Sequence, residues 1–166
     1  GYGHYPAFRD YPGSTSLPEE VFQEVVHALL EDLARHGPSA ILVLNTGIST
    51  IRGVDGALDY VDIARAQHVY RGERYLAAAA EICEQERGGH ADEAETSVML
   101  HLHREHVDMN KAPTWTQPIA PGRSTPTDST SPSYSPHGIA GDATLATAQK
   151  GERLVAAMLE DLLAAL

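Results

Sequence analysis

A chain of 166 residues suits one compact domain, and an apolar content of 42% is enough to bury a core. The formal charge of -11 argues against a nucleic-acid or anionic-membrane partner, since either selects a basic face. No apolar run nears the roughly 20 residues of a bilayer span, no signal peptide opens the chain, and the single Cys83 has no internal disulfide partner. A cytoplasmic protein with a small-molecule substrate is the expectation. The opening Gly1-Tyr2-Gly3-His4 lacks an initiator methionine, which fits either a removed tag or leader or a product of a longer polypeptide.

Residues 1–15, rich in Gly, Pro and aromatics, predict an irregular loop. Ser16 and Glu19 form a capping-box pattern before an apolar series. Val21, Val25, Leu29 and Leu33 recur every four residues beside Phe22, Val26 and Leu30, which predicts an amphipathic helix stopped by Gly37. The apolar run 40–45 predicts a buried strand of a parallel sheet, with Asn45-Thr46-Gly47 at its ligand-binding carboxyl end. A helical stretch weakened by Gly53 and Gly56 leads to a short strand near residues 67–70. Residues 75–86 and a segment opening at Asp92 predict two further helices. Residues 112–142, crowded with Pro, Ser and Thr, predict a long loop or arm, and residues 144–166 a final helix. The order is α/β with few strands, so the sheet is expected to lean on something else.

Gly88-Gly89-His90-Ala91-Asp92-Glu93-Ala94-Glu95 sets a histidine at a glycine-freed helix start, with carboxylates in the first turn. His90 there reads either as a general acid/base or ligand, or as a bystander to acids that simply favour a helix N-terminus. His101, His103 and His106 read better as a solvated helix end than as metal ligands, because 101 and 103 point to different sides of a helix. His4, in its glycine loop, covers an active site or is merely exposed. Trp115 caps a substrate pocket or anchors a subunit contact. Asn45-Thr46-Gly47 lacks the spacing and lysine of a phosphate loop, and Cys83 reads as a small buried hydrophobe.

Four blocks in order resemble the creatininase (creatinine amidohydrolase) family. Tyr11-Pro12-Gly13-Ser14-Thr15-Ser16-Leu17 is similar to its FPGT-x-SL turn, and Leu33-Ala34-Arg35-His36-Gly37 with the strand and Asn45 to its LARHG…NGH segment. Gly89-His90-Ala91 with Glu95-Thr96-Ser97, Met99-Leu100 and Val107-Asp108-Met109 is similar to GHAGE-x-ETS-x-ML…LVDM. The run from Gly141-Asp142 to Lys150-Gly151 is similar to GDPT-x-AT-x-EKG. The resemblance implies a three-layer α/β/α sandwich around a mostly parallel sheet, here the C-terminal two-thirds of that fold, commonly assembled as a hexamer. It implies hydrolysis of a C–N amide bond in a small, often cyclic substrate, with zinc, manganese or iron activating a water. By position His90 is then the acid/base or the substrate-orienting histidine, and Glu95 a metal ligand or its neighbour; Asp92, His4, Trp115 and Thr46 are the candidates for contact with the substrate.

Two departures matter. The family's metal-ligating Glu-x-His pair and aspartate have no counterpart, and Thr46 stands where the NGH segment has its histidine, a hydroxyl being a poor zinc-class ligand. The chain is therefore expected to work as an amidohydrolase completed by an N-terminal segment or partner chain, or as a non-catalytic structural or regulatory subunit. A free-standing binding module is the third reading.

Overall fold

The computed structural model describes residues 3–120 and 122–166; Gly1, Tyr2 and Pro121 lie outside the described residues. Helix α1 (Glu19–Ala34) begins with two glutamates in its first turn, where the helix dipole favours negative charge. Its end is set by Gly37 at φ 76°, whose amide donates to Ala34 O. The expected capping box does not form. Pro18 occupies the N-cap position, and Ser16 Oγ instead accepts from Tyr5 N at 2.9 Å, tying the opening loop to the helix entrance.

Strand β1 (Ile41–Asn45) leads to α2 (Ile51–Leu58) and then to β2 (Ala64–His68), which pairs with β1 in parallel from Ile41 opposite Ala64 to Asn45 opposite His68. The second strand lies about three residues earlier than its sequence suggests, because ARAQH carries no apolar run and is held by the β1 ladder. No third strand flanks this pair among the described residues. Leu30, Ala57 and Val61 form the core here, with Val26, Ile41 and Val43 against them. Gly53 is a close-approach residue: a Cβ there would lie 2.6 Å from the Phe22 ring, so the glycine lets α2 settle on α1.

The apolar surface of α1 is broader than this core uses. Phe22, Val26 and Leu30 turn inward, while Val21, Val25, Leu29 and Leu33 remain 39%, 46%, 60% and 53% exposed.

A second cluster joins α3 (Glu73–Ile82), α4 (Glu93–Leu102) and α5 (Ala148–Ala165) around Tyr75, Ala94, Val98 and Leu154. Helix α3 stops at Ile82, short of the predicted residue 86, because the Glu93 carboxylate takes the amides of Glu84 and Gln85 at 2.8–3.0 Å. Helix α5 starts late as well: Thr147 caps it by accepting from Lys150 N, after a 3-10 turn at Ala143–Leu145. Among the described residues no helix is long and apolar enough to cross a membrane.

The Pro-rich segment is a packed loop and not a projecting arm. It contains β3 (Thr114–Trp115), which pairs antiparallel with β4 (Gly141–Asp142), and it buries Ser135 and Ile139 completely. The Tyr11 hydroxyl donates to Ser135 O, Ser124 N donates to Ala7 O, and Arg123 pairs with Asp10, so the loop is fastened to the start of the chain.

Candidate active site

A cavity of about 630 Å3 opens between the loop after β1 and the entrance of α4, within the range of small-ligand sites. Its floor is the carboxyl end of β1 and the following loop, the expected ligand edge of a parallel sheet. Asn45 shapes that loop from within. Its amide nitrogen donates to Gly47 O at 2.7 Å and to His68 Nδ1 at 2.8 Å, while its oxygen accepts from Thr50 Oγ1 at 2.7 Å. His68 Nδ1 is thereby an acceptor, so its proton sits on Nε2 and is donated to Asp55 at 2.9 Å. Thr46 lines the cavity with its side chain toward solvent.

His90 and Glu95 meet across the cavity wall, with His90 Nδ1 3.8 Å from Glu95 Oε2, within ion-pair range but beyond a hydrogen bond. The turn that presents them is unusual. Gly89 has φ 154° and Ala91 φ 50°, a left-handed conformation that a residue with a Cβ adopts at a cost of about 1–2 kcal/mol. Three contacts hold it. His90 and Ala140 exchange backbone hydrogen bonds at 3.3 and 2.9 Å, Glu95 accepts from Ala91 N, and Asp92 caps α4. Phe8, from the 3-10 turn Pro6–Phe8, lies flat over the imidazole, ring centroids 4.0 Å apart at 24°.

The other sequence candidates lie elsewhere. Asp92 is buried, with Oδ1 accepting from Ala94 N and Glu95 N and Oδ2 from Gly89 N and Gln85 Nε2. Both its oxygens are occupied by the turn, and it lines a neighbouring cavity instead. His4 bonds Leu17 O through Nδ1 at 3.0 Å and faces Glu19 through Nε2, bracing the entrance of α1; Tyr5, next to it, reaches the cavity. Trp115 stands edge-on to Tyr134 and lines a separate pocket of about 190 Å3. Phe8, Ser49 and Ser124 are cavity residues that sequence reasoning missed. An aromatic in a Gly/Pro-rich loop was the available signal for Phe8 alone.

The family profile described as Creatininase, creatinine amidohydrolase, matches residues 1–166. The chain belongs to the creatininase family. A crystal structure of a creatinine amidohydrolase (creatininase) is 22% identical, with a TM-score of 0.71, covering 99% of this chain and 71% of that one. A manganese creatininase is also 22% identical, at 0.70, with 99% and 71% covered. A chain from Bacteroides fragilis NCTC 9343, described as a creatinine amidohydrolase, is 26% identical, at 0.70, with 97% and 66% covered. These likenesses establish an α/β creatininase fold. No curated protein matches the chain.

For a creatininase-family chain, the donor set of the cavity is short. Among the described residues of its lining, His90 and Glu95 are the imidazole and carboxylate groups, and one Glu95 oxygen already serves Ala91 N. A zinc-class catalytic centre has three protein ligands. These residues alone therefore do not fit a divalent ion.

Proposed function

We propose that the cavity is the substrate pocket of a creatininase-type amidohydrolase that hydrolyses a C–N amide bond of a small cyclic substrate. The observation that carries this reading is the poised His90, at the cavity wall with Phe8 on its face and Glu95 beside Nδ1. A carboxylate on that side favours the Nδ1–H tautomer, which leaves Nε2 free to take a proton from water and return it to the leaving nitrogen. Thr46, Ser49 and Ser124 supply hydrogen-bonding groups on an otherwise largely apolar wall, as small polar ring substrates require. The divalent zinc, manganese or iron implied by family membership would draw its remaining ligands from polypeptide outside these 166 residues, with Glu95 toward it. Homo-oligomeric assembly belongs to the same proposal, and the exposed α1 stripe supports it.

The test is His90→Ala in the natively purified assembly, assayed on a panel of cyclic amides. Turnover falls by at least the about hundredfold that general acid–base catalysis contributes, while substrate binding persists. Equal turnover by the variant overturns the assignment.

A second reading, a non-catalytic subunit, has its own observation in Thr46 and the committed Glu95 oxygen. It requires a metal-free assembly that binds its ligand without consuming it.

A further inference from the structure

Outside the cavity, the segment after α4 gathers three donor side chains that neither the core nor the candidate active site uses. The α-helix ends at Leu102 and the chain continues into a 3-10 turn, Arg104–His106. His103 caps this turn and His106 ends it, which leaves their rings 5.9 Å apart with the Glu105 carboxylate in reach of both. The backbone is fixed through this stretch: His103 N donates to Met99 O at 2.8 Å, His106 N to His103 O at 3.0 Å and Val107 N to Arg104 O at 3.1 Å.

One ligating atom from each of His103, Glu105 and His106 lies within 4.8 Å of the others. His103 Nδ1 is 3.2 Å from Glu105 Oε1, and His106 Nε2 is 3.7 Å from the same oxygen. An ion held about 2.0–2.2 Å from tetrahedral nitrogen and oxygen ligands sets their spacing near 3.3–3.5 Å. Two of the three edges are therefore close to size, and the exposed rings can rotate to close the third. A solvated helix end disperses its side chains; here three donors converge on one point. Two imidazoles and a carboxylate are also a donor set that selects zinc-class ions over calcium or magnesium.

We propose that His103, Glu105 and His106 form a surface site for a zinc-class divalent ion, its fourth position open to water or to a donor from a second molecule. The site is independent of the chemistry in the cavity, and its ligands are exposed, so replacing them leaves the core untouched.

Calorimetric titration of the full chain with zinc at neutral pH tests it, with cobalt(II) as a spectroscopic probe. The wild type takes up one equivalent whose affinity drops in His103→Ala, His106→Ala and Glu105→Gln, each by more than the about tenfold that even an outer-shell change costs. His90→Ala retains that equivalent. Uptake weakens in acid, because the imidazoles must be neutral to bind. Cobalt gives the intense visible bands of a low-coordinate ion and loses them when both histidines are replaced. Circular dichroism establishes that the variants are folded. Unchanged zinc affinity with both histidines replaced, or no uptake by the wild type at micromolar zinc, overturns the proposal.

Discussion

The ring of Phe8 covers one face of the His90 imidazole, 82 positions away in sequence, with centroids 4.0 Å apart. Because Glu95 approaches the edge and Phe8 the face, the imidazole is restricted in both tilt and rotation. Phe8→Ala should free it. The His90 ring-proton resonances then lose the shielding of the Phe8 ring and move downfield, and turnover falls by about ten- to a hundredfold, the range expected when a reacting group loses its placement. Phe8→Tyr should preserve both. Unmoved His90 resonances in Phe8→Ala would sink the assignment of Phe8 as a positioning residue.

Asp161 of α5 caps a helix to which it does not belong. Its carboxylate, 7% exposed, accepts from Tyr75 N at 3.0 Å and Arg74 N at 3.2 Å at the start of α3. A Cβ on Gly72 would lie 2.0 Å from Asp161 Oδ2. Gly72 has φ -62°, which alanine adopts freely, so any penalty for Gly72→Ala is this clash. Asp161→Ala should cost about 1–2 kcal/mol in urea denaturation as a lost cap. Gly72→Ala should be clearly destabilising in the wild type and less so in Asp161→Ala, where only the Cβ contact at 2.9 Å remains. Simple additivity of the two changes would refute the contact.

The same carboxylate makes stability depend on pH. Burial raises its pKa, but the amides of Tyr75 and Arg74 and the Arg74 guanidinium outweigh that and hold it below the usual range. A depressed folded-state value contributes stability that is present above the unfolded value, about 3.9, and lost as pH falls through the folded one. Thermal midpoints measured from pH 6 downward should therefore decline less steeply for Asp161→Asn than for the wild type, starting from a lower plateau.

Lys150 and the fully buried Glu93 form a second cross-connection. The ammonium donates to Glu93 Oε1 and Glu84 Oε1, both at 2.5 Å, and to Leu145 O at 2.9 Å. Lys150→Met leaves a buried charge unpaired, at about 3–5 kcal/mol. Adding Glu93→Gln should recover part of that loss, and a double variant no better than Lys150→Met would argue against the pairing.

Cys83 should be inert in the native state. Burial foremost, with Glu93 and Asp92 nearby, pushes its thiol up to about 11. At pH 8 alkylation should run about two orders of magnitude slower than in urea, since the thiolate reacts and the thiol does not. Equal rates in both states would place Cys83 in an ordinary exposed setting.

What could be read from the sequence was local. The apolar run 40–45 became β1, though half-buried where a buried strand was expected, with Leu44 51% exposed, and Asp92 opened α4 by the capping physics its side chain offers. The glycines around His90 marked a turn that does need unusual backbone angles. Relationships across the chain were not legible. Ser16 and Glu19 match a capping box, yet the serine is drawn to Tyr5 N instead. The stripe Val21, Val25, Leu29 and Leu33 has helical periodicity, but periodicity cannot say which half of a broad apolar surface meets the core. The α-helix stops at Leu102, and the non-helical His103 that caps the following turn, facing His106, leaves no periodic trace. Phe8, Asp161 and Lys150 act on partners 57 to 87 positions distant, beyond any window of pattern or propensity.

The cavity lies between the loop after β1, the strand that packs on Leu30, Ala57 and Val61, and the entrance of α4, the helix that carries Ala94 and Val98 to Tyr75 and Leu154. Its floor comes from the first and His90 and Glu95 from the second. A molecule seated there touches both halves at once and acts as a thermodynamic rivet. Its binding free energy is available to couple their melting, so the ligand that completes the chemistry also governs how cooperatively the chain unfolds.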